Sequence, residues 1–199
     1  MLVEIHGPGN AMGAGAVNGS EELQVLAIVT GRLDSAGLAY MLTGSMALNY
    51  YAVPRMTRDI DLVVELSAPA ADVLVELFRE DFYVDPDAVR AAIADRGSFN
   101  LIHSRLLVKV DILVRKDTEY RRVEFERRRR VSFEEQSFDV VAPEDLIVSK
   151  LDWARDTRSE TQLSDARSLL RMVPDLDRGY LQRWIARLGL DALYRELSR

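Results

Sequence analysis

Two aspartates separated by one residue are the side chains of this sequence best suited to bind a metal ion. Asp59 and Asp61 lie in residues 59–66, whose β-branched and apolar residues predict a strand. Side chains alternate across a strand, so both carboxylates point to the same face, about 6 to 7 Å apart. Mg²⁺ prefers carboxylate oxygens and keeps water or phosphate oxygens at its other positions. We therefore expect Mg²⁺ or Mn²⁺ here, and the alternative is two solvated carboxylates on an edge strand.

A third aspartate, Asp111, lies inside the almost continuous apolar run 106–114, which is typical of a central strand. Burying an unpaired carboxylate is costly, so a cation must lie beside it. That cation is either the same metal ion or a basic side chain such as Lys109. An ion pair with Lys109 or an arginine, without any metal, is the structural alternative.

A glycine and a serine, Gly44 and Ser45, stand between a predicted strand and a predicted short helix. Glycine lets the backbone approach a phosphate closely, and the start of a helix offers free N–H donors. The pair is therefore a candidate phosphate-binding turn. Gly-Ser turns are common, and an ordinary strand-to-helix connection is the alternative.

The elements that would position these residues predict an α/β fold, with a β-sheet flanked by helices and a helical C-terminal part. Residues 1–19 are small, Gly-rich and unpatterned, which predicts a flexible leader. Residues 20–142 would form the α/β domain, and residues 143–199 the helical part packed on it. The predicted strands are 38–43, 59–66, 99–102, 106–114, 131–133 and 138–141. The predicted helices are 20–37, 47–51, 70–79 and 86–94, followed by a helical tail with breaks near Ser159, Pro174 and Gly189.

The Gly-Ser turn and the aspartates together resemble the signature of the nucleotidyltransferase superfamily, which has a polymerase-beta-like fold. Gly44-Ser45 is followed, after thirteen residues, by Asp59-Ile60-Asp61 and later by the strand aspartate Asp111. Residues 142–151, Ala-Pro-Glu-Asp-Leu-Ile-Val-Ser-Lys-Leu, with Asp165 further on, are similar to a pattern of the small AbiEii-like branch. That branch includes toxins of type IV toxin–antitoxin systems, some of which transfer nucleotides to tRNA.

The resemblance implies a role for each residue that matches the signature. Gly44 and Ser45 would contact the triphosphate of a nucleoside triphosphate (NTP), and Asp59, Asp61 and Asp111 would hold Mg²⁺ as the catalytic carboxylates. Phosphoryl transfer depends chiefly on charge neutralisation and in-line positioning, which suits this set of groups. Asp111 is then the expected base for the proton of the acceptor hydroxyl.

Two residues of the C-terminal part match the branch pattern. Lys150 would neutralise phosphate, and the alternative is a solvated lysine on a helix. Asp165 matches an aspartate that lies close to the active site in this branch. Asp152 and Asp156, on the preceding helix, compete for that assignment.

Several arginines are candidates for contact with phosphate. Arg55 and Arg58 precede the aspartate pair, and the segment 116–130 holds seven Lys/Arg against four Asp/Glu, with four consecutive arginines at 127–130. Such a run favours a nucleic-acid acceptor. The alternative is a solvated linker whose arginines pair with Glu124, Glu126 and Glu134.

Composition excludes several classes of protein. With no cysteine and only His6 and His103, the chain of 199 residues has neither disulfides nor a thiolate or histidine-rich zinc site. His103, at a strand turn, is interpreted as a surface or capping residue. The net charge of −6 argues against a general electrostatic nucleic-acid binder. No apolar run approaches the roughly 20 residues of a membrane helix, so no membrane partner is expected and a cytoplasmic location is the default.

Three functions are compatible with these observations. The first is transfer of a nucleoside monophosphate from an NTP to RNA, such as tRNA, in the manner of a toxin with a cognate antitoxin protein. The second is nucleotidyl transfer to a small hydroxylated molecule of the antibiotic kind or to a protein side chain. The third is a catalytically idle nucleotide-binding or partner-binding protein, since a fold does not fix a function.

Overall fold

The computed structural model describes residues 20–133 and 136–197, so the predicted leader, residues 1–19, lies outside the described residues. The described chain forms one mixed sheet flanked by helices, with a helical C-terminal part, which confirms the predicted fold class. The strands are β1 (Tyr40–Thr43), β2 (Asp59–Val64), β3 (Phe82–Tyr83), β4 (Ser98–His103), β5 (Lys109–Val114), β6 (Arg129–Phe133) and β7 (Gln136–Val140). The helices are α1 (Glu21–Ser35), α2 (Gly44–Tyr51), α3 (Ala70–Phe78), α4 (Pro86–Asp95), α5 (Glu119–Glu126), α6 (Pro143–Thr157), α7 (Glu160–Met172), α8 (Arg178–Arg187) and α9 (Asp191–Leu197).

The strand order across the sheet is β3-β4-β5-β2-β1-β7-β6. Strands β2 and β5 are parallel neighbours near its centre, whereas β1 and β2 are antiparallel. Alternate residues of β2 and β5, such as Ile60, Leu62 and Val110, are fully buried on one face of the sheet. The opposite face of the same two strands therefore carries the aspartates.

Helix α2 begins earlier than the sequence predicts, because Gly44 and Ser45 are its first two residues. Thr43 is the N-cap residue and the last residue of β1. Strand and helix thus meet without an intervening loop. The Gly-Ser pair stands at the end of a central strand and at the N-terminus of a helix.

Two elements are missing from the sequence prediction, the short edge strand β3 and helix α5. Helix α5 begins after Thr118, whose hydroxyl accepts a hydrogen bond from the Arg121 backbone N–H. It buries Tyr120, Glu124 and Phe125. Glu124 occupies a buried position where a helix normally has an apolar residue. The apolar residues of α5 therefore do not recur at helical spacing, and the sequence pattern does not indicate a helix.

Strand β5 begins at Lys109 instead of at residue 106. Leu107 has φ +54°, in the left-handed region, and its backbone N–H donates to the His103 carbonyl in a tight turn. A left-handed residue cannot continue a strand. The apolar run of the sequence therefore includes turn residues as well as the strand.

The C-terminal helices share the hydrophobic core of the sheet. One cluster of buried side chains includes Leu62 of the sheet, Leu146 of α6 and Leu181 of α8. Trp184 and Ile185 of α8 are buried as well. The division at residue 142 stays a prediction. None of the helices in the described residues is long and apolar enough to span a membrane.

Candidate active site

Register between β2 and β5 places four charged residues in a square on one face of the sheet. Asp61 lies opposite Asp111, and Asp59 lies opposite Lys109. Neighbouring strands are about 4.8 Å apart, so side chains at paired positions are within reach of each other. The structure thus brings together the three aspartates that the sequence singles out, and adds a lysine to them.

Gly44 packs directly against the Asp61 carboxylate. Its φ of +64° lies in the left-handed region that favours glycine. A Cβ built on Gly44 would overlap the Asp61 carboxylate and would lie 2.9 Å from Asp61 Cβ. Only glycine fits this position without displacing the aspartate. The candidate phosphate-binding turn and the candidate metal ligands are therefore in contact.

Asp61 is the carboxylate of this group without a partner. Its side chain is half-buried, and none of the described residues donates a hydrogen bond to it or forms an ion pair with it. Burial raises the pKa of Asp61, and the charges of Asp111 and Asp59 raise it further, against the opposing charges of Lys150 and Lys109. Asp61 thus lies where a bound cation would be stabilised.

Asp111 forms the ion pair that the sequence left open as an alternative. Lys109 Nζ lies 2.9 Å from Asp111 Oδ2 and 3.6 Å from Asp59 Oδ1. The hydrogen bond to Asp111 is the main cause that raises the pKa of Lys109. With its amide nitrogen oriented toward Asp111, Asn100 donates a hydrogen bond to Asp111 Oδ1. The Lys109 side chain is 40% exposed, so this is not the fully buried pair that the apolar sequence context suggests.

The donor set fits a hard divalent cation chemically. Three carboxylates share one face, and a single lysine balances only part of their charge. Asp59 and Asp111 both face Lys109 in the structure. In the described ranges, no group of three or more His, Asp or Glu side chains is arranged to hold a metal ion. The unpartnered Asp61 is the residue around which such an ion would bind.

A second polar network links the Gly-Ser turn to the C-terminal helices. Arg55 Nη2 donates to Ser45 Oγ at 2.6 Å and to Asp165 Oδ2 at 3.2 Å. Lys150 Nζ donates to the same Asp165 oxygen at 2.8 Å. The structure therefore places Ser45, Arg55, Lys150 and Asp165 in one connected group.

Asn49 holds Arg55 in this position and is a site residue that the sequence analysis missed. Its Nδ2 donates to the Arg55 carbonyl at 2.8 Å, and its Oδ1 accepts from the Arg55 backbone N–H at 2.9 Å. Asn49 lies four residues after Ser45 on α2, so both side chains are on one helix face. That spacing is the sequence signal that could have identified it.

The contacts of Lys150 and Asp165 exclude one alternative and leave their roles toward a nucleotide as predictions. Interpretation of Lys150 as a solvated lysine is wrong, because its side chain is only 5% exposed and is paired with Asp165. Asp152 pairs with Arg121 and Arg155, and Asp156 lies 3.6 Å from Arg155, so neither of these aspartates joins the network. Asp165 is thus the aspartate that joins the Gly-Ser turn. Arg58 is exposed beside Asp59 and forms no ion pair with any described residue.

The four consecutive arginines at 127–130 are engaged in ion pairs. Arg127 binds Glu144 and Asp145, Arg128 and Arg130 bind Asp139, Arg130 also binds Asp34, and Arg129 lies 3.5 Å from Glu144. These partners differ from the expected Glu124 and Glu126, and Glu134 lies outside the described residues. Glu124 is bound by Arg121 and Ser149 instead. The run is therefore paired within the fold, with acids of α1, β7 and α6.

The Pro-Glu-Asp-Leu motif anchors the start of α6. Glu144 accepts a hydrogen bond from the Asp177 backbone N–H, and Asp145 accepts from the Tyr180 hydroxyl and Arg127. Burial raises the pKa of Asp145. Both acids are buried and link α6 to the segment that begins α8. Their contacts are structural, unlike those of Lys150 later in the motif.

His103 caps a turn and takes no part in either network. Its Nδ1 accepts a hydrogen bond from the Leu106 backbone N–H at 3.1 Å. Its ring is buried and packs edge-on against Phe82, with 5.0 Å between the ring centroids. This agrees with a capping role and excludes a surface position.

Solved structures with nucleotidyltransferase folds are similar to this one. An antigenic nucleotidyltransferase-like protein from Paracoccidioides brasiliensis matches with a TM-score of 0.54 at 20% identity, over 90% of this chain and 93% of that one. The antibiotic-resistance factor ANT(2'')-Ia matches with a TM-score of 0.53 at 13% identity, over 88% and 94%. The lincosamide antibiotic adenylyltransferase LnuA, with lincomycin bound, matches with a TM-score of 0.50 at 12% identity, over 78% and 98%.

At these identities the similarity concerns the fold. No protein-family model and no curated protein sequence matches the chain. The chain therefore has a nucleotidyltransferase-like fold. Its strand-to-helix turn at Gly44 and the neighbouring aspartates lie within that fold.

Proposed function

We propose that this protein is a Mg²⁺-dependent nucleotidyltransferase, which transfers a nucleoside monophosphate from an NTP to the hydroxyl group of an acceptor. The observation that carries the proposal is the contact between Gly44 and the Asp61 carboxylate. It joins a backbone suited to phosphate with a carboxylate suited to a metal ion. Transfer of a nucleotide requires both at one place.

Each group of the site has a role in this reaction. The Ser45 hydroxyl and the first N–H groups of α2 would bind the triphosphate. Asp59, Asp61 and Asp111 would hold Mg²⁺, or Mn²⁺, which when bound neutralises charge on the phosphate oxygens. Arg55 reaches Ser45, and the exposed Arg58 is free to approach the nucleotide.

The chemical step is an in-line displacement at the α-phosphorus. The acceptor oxygen forms a new bond to that phosphorus while the bond to the bridging α,β oxygen breaks and releases pyrophosphate. Asp111 takes the proton of the attacking hydroxyl. It lies in register with Asp61, and its carboxylate is 25% exposed, so an acceptor can reach it from solvent.

A small hydroxylated molecule is the acceptor favoured by the charges. The arginines at 127–130 were the main support for an RNA acceptor, and they are paired with Asp34, Asp139, Glu144 and Asp145. Paired arginines release fewer counterions on binding a polyanion than free ones do. LnuA, solved with lincomycin bound, is an example of a protein of this fold with such a molecule.

Transfer to tRNA, a toxin role and a cognate antitoxin rest on the AbiEii-like motif alone. In that motif Glu144 and Asp145 have structural contacts, whereas Lys150 and Asp165 join the network at Ser45. The motif residues therefore attach α6 and α7 to the rest of the fold and to the candidate site. It carries no information about the acceptor.

Incubation with each α-³²P-labelled NTP and Mg²⁺ tests the proposal. Parallel reactions would contain total RNA or a panel of lincosamides and other hydroxylated antibiotics, with Asp61→Asn as the inactive control. We expect label on a small molecule with the wild type and none with the variant. Label on RNA would select the other acceptor class. A wild-type protein that labels nothing and binds no NTP would support a catalytically idle protein instead.

A further inference from the structure

One of the four charged residues on the shared face of β2 and β5 is a cation, Lys109. Asp59, Asp61 and Asp111 contribute three negative charges, and Lys109 contributes one positive charge. The group therefore carries a charge of −2, which one divalent ion would neutralise. Two-metal sites, in contrast, use their carboxylates to hold a pair of ions.

Lys109 is fixed among these carboxylates by the sheet itself. It lies two residues before Asp111 on β5 and opposite Asp59 on β2, so strand alternation and register direct it to the same face. Its Nζ is 2.9 Å from Asp111 Oδ2 and 3.6 Å from Asp59 Oδ1. A second ion on those oxygens would have to displace an ammonium that already binds two of them.

The contacts leave an asymmetric set of free oxygens. Both oxygens of Asp111 are engaged, one by Lys109 and one by Asn100. Asp59 is engaged through Oδ1 only, and Asp61 has no partner among the described residues. Asp61, beside Gly44, and Asp59 thus offer the least engaged oxygens for a single divalent ion, which Asp111 would also hold while it keeps its contact with Lys109.

We propose that Lys109 supplies the positive charge that a second divalent ion would supply, so that the site takes one divalent ion for each bound nucleotide. This inference rests on the proposed function and specifies its metal requirement. A lysine that merely balanced charge in the folded protein would leave room for two ions once the nucleotide is bound. The number of bound ions distinguishes these cases.

Counting Mn²⁺ in the nucleotide complex tests the inference without relying on activity. Mn²⁺ would be titrated into α,β-methylene-ATP, which resists transfer, with the protein in excess so that all of the nucleotide is bound. Free Mn²⁺ would be measured by electron paramagnetic resonance, with the protein alone titrated in parallel. The variants are Lys109→Met, which keeps the side-chain length without the charge, and Lys116→Met as matched control. Lys116 is exposed beyond the other end of β5, at the residue after Arg115.

We expect one Mn²⁺ for the wild type and for Lys116→Met, and two for Lys109→Met. Two ions in the wild type, or one in Lys109→Met, would overturn the inference and leave the proposed function intact. No ion in a wild type that binds the nucleotide would contradict the proposed metal dependence as well. If Lys109→Met does not fold, Lys109→Gln, which is neutral but can still donate to Asp111, answers the same question with the same expected counts.

Discussion

The Lys150 ammonium and the Asp165 carboxylate form a buried ion pair that joins α6 to α7. The two side chains are 5% and 6% exposed, and Lys150 Nζ lies 2.8 Å from Asp165 Oδ2. Arg55 binds the same oxygen from the solvent side. Arg55 connects the pair to the Ser45 hydroxyl, to which it also donates. In this position Lys150 Nζ is bound to Asp165, so a role for Lys150 in neutralising phosphate stays a prediction.

Removal of the lysine should be strongly destabilising. Lys150→Met leaves the Asp165 charge buried with only Arg55 beside it, and we expect a loss of about 3 to 5 kcal/mol in the free energy of unfolding. Urea unfolding followed by circular dichroism would measure it. The double variant Lys150→Met/Asp165→Leu should recover most of the loss, because no unpaired charge remains.

An exposed pair provides the control for this prediction. Glu76 on α3 and Arg79, the C-cap residue of that helix, are each 66% exposed, so Glu76→Gln should leave the unfolding midpoint unchanged within error. A Lys150→Met midpoint as high as that of Glu76→Gln would show that the buried pair contributes little.

Arg55 should affect nucleotide binding more than stability. Its guanidinium reaches Ser45 from a side chain that is 39% exposed, so Arg55→Met removes a charged donor near the triphosphate. A charge-assisted hydrogen bond contributes about 1.5 to 3 kcal/mol, which corresponds to roughly 10- to 150-fold weaker NTP binding. Calorimetric titration with NTP and Mg²⁺ would measure the dissociation constant.

The Asn49 side chain should act in the same direction through Arg55. Asn49→Ala removes both hydrogen bonds that hold the Arg55 backbone, so NTP binding should weaken, though less than in Arg55→Met. In the double variant the two effects should not add, because Asn49 works through Arg55. Additive effects would mean that Asn49 contacts the nucleotide independently. Arg79→Met, which removes an exposed arginine on another helix, is the control for the loss of charge.

The sequence predicted the parts of the site that depend on local pattern. Strand alternation placed Asp59 and Asp61 on one face, and the strand-to-helix change located Gly44. Lys109 was identified only as an ion-pair partner of Asp111, because its position opposite Asp59 depends on the register between two strands far apart in the chain. Register of this kind is set by tertiary packing.

The arginines at 127–130 show the opposite limit of sequence reasoning. Their partners Asp34, Asp139, Glu144 and Asp145 lie on three different elements, and none of them was predicted. Local sequence offered Glu124 and Glu126 instead. A cluster of arginines indicates that acidic partners are needed. Which acidic residues become those partners is determined by the fold.

The raised pKa of Asp61 predicts how the stability of the metal-free protein depends on pH. An ordinary aspartate has a pKa of about 3.9. Between that value and the raised folded value, the folded state holds more protons than the unfolded state. The free energy of unfolding should therefore fall as the pH rises through this window.

Comparison with Asp61→Asn isolates this contribution. The variant cannot ionise at this position, so its stability should decline less over the same pH range. Urea unfolding at several pH values, in the presence of a chelator, would measure both slopes. Saturating Mg²⁺ should reverse the trend in the wild type, because the ion binds the ionised carboxylate. Equal slopes for the two proteins would show that Asp61 is not perturbed.

Gly44→Ala should abolish nucleotide binding. The new methyl group would overlap the Asp61 carboxylate and displace it from its position beside the turn. Alanine at a positive φ adds a conformational cost of about 1 to 2 kcal/mol. Binding of NTP with Mg²⁺, measured by calorimetry, should fall below detection even at temperatures where the variant is folded.

Gly189→Ala separates the conformational cost from the overlap. Gly189 follows Leu188, the C-cap residue of α8, and has a φ of +69°; a Cβ there would meet no atom within 4 Å. It should lose about the same 1 to 2 kcal/mol of stability through backbone strain alone, and bind NTP as the wild type does. The two variants thus share a backbone penalty and differ only in contact with Asp61. If Gly44→Ala binds NTP as well as Gly189→Ala does, the contact between Gly44 and Asp61 is not part of the nucleotide site.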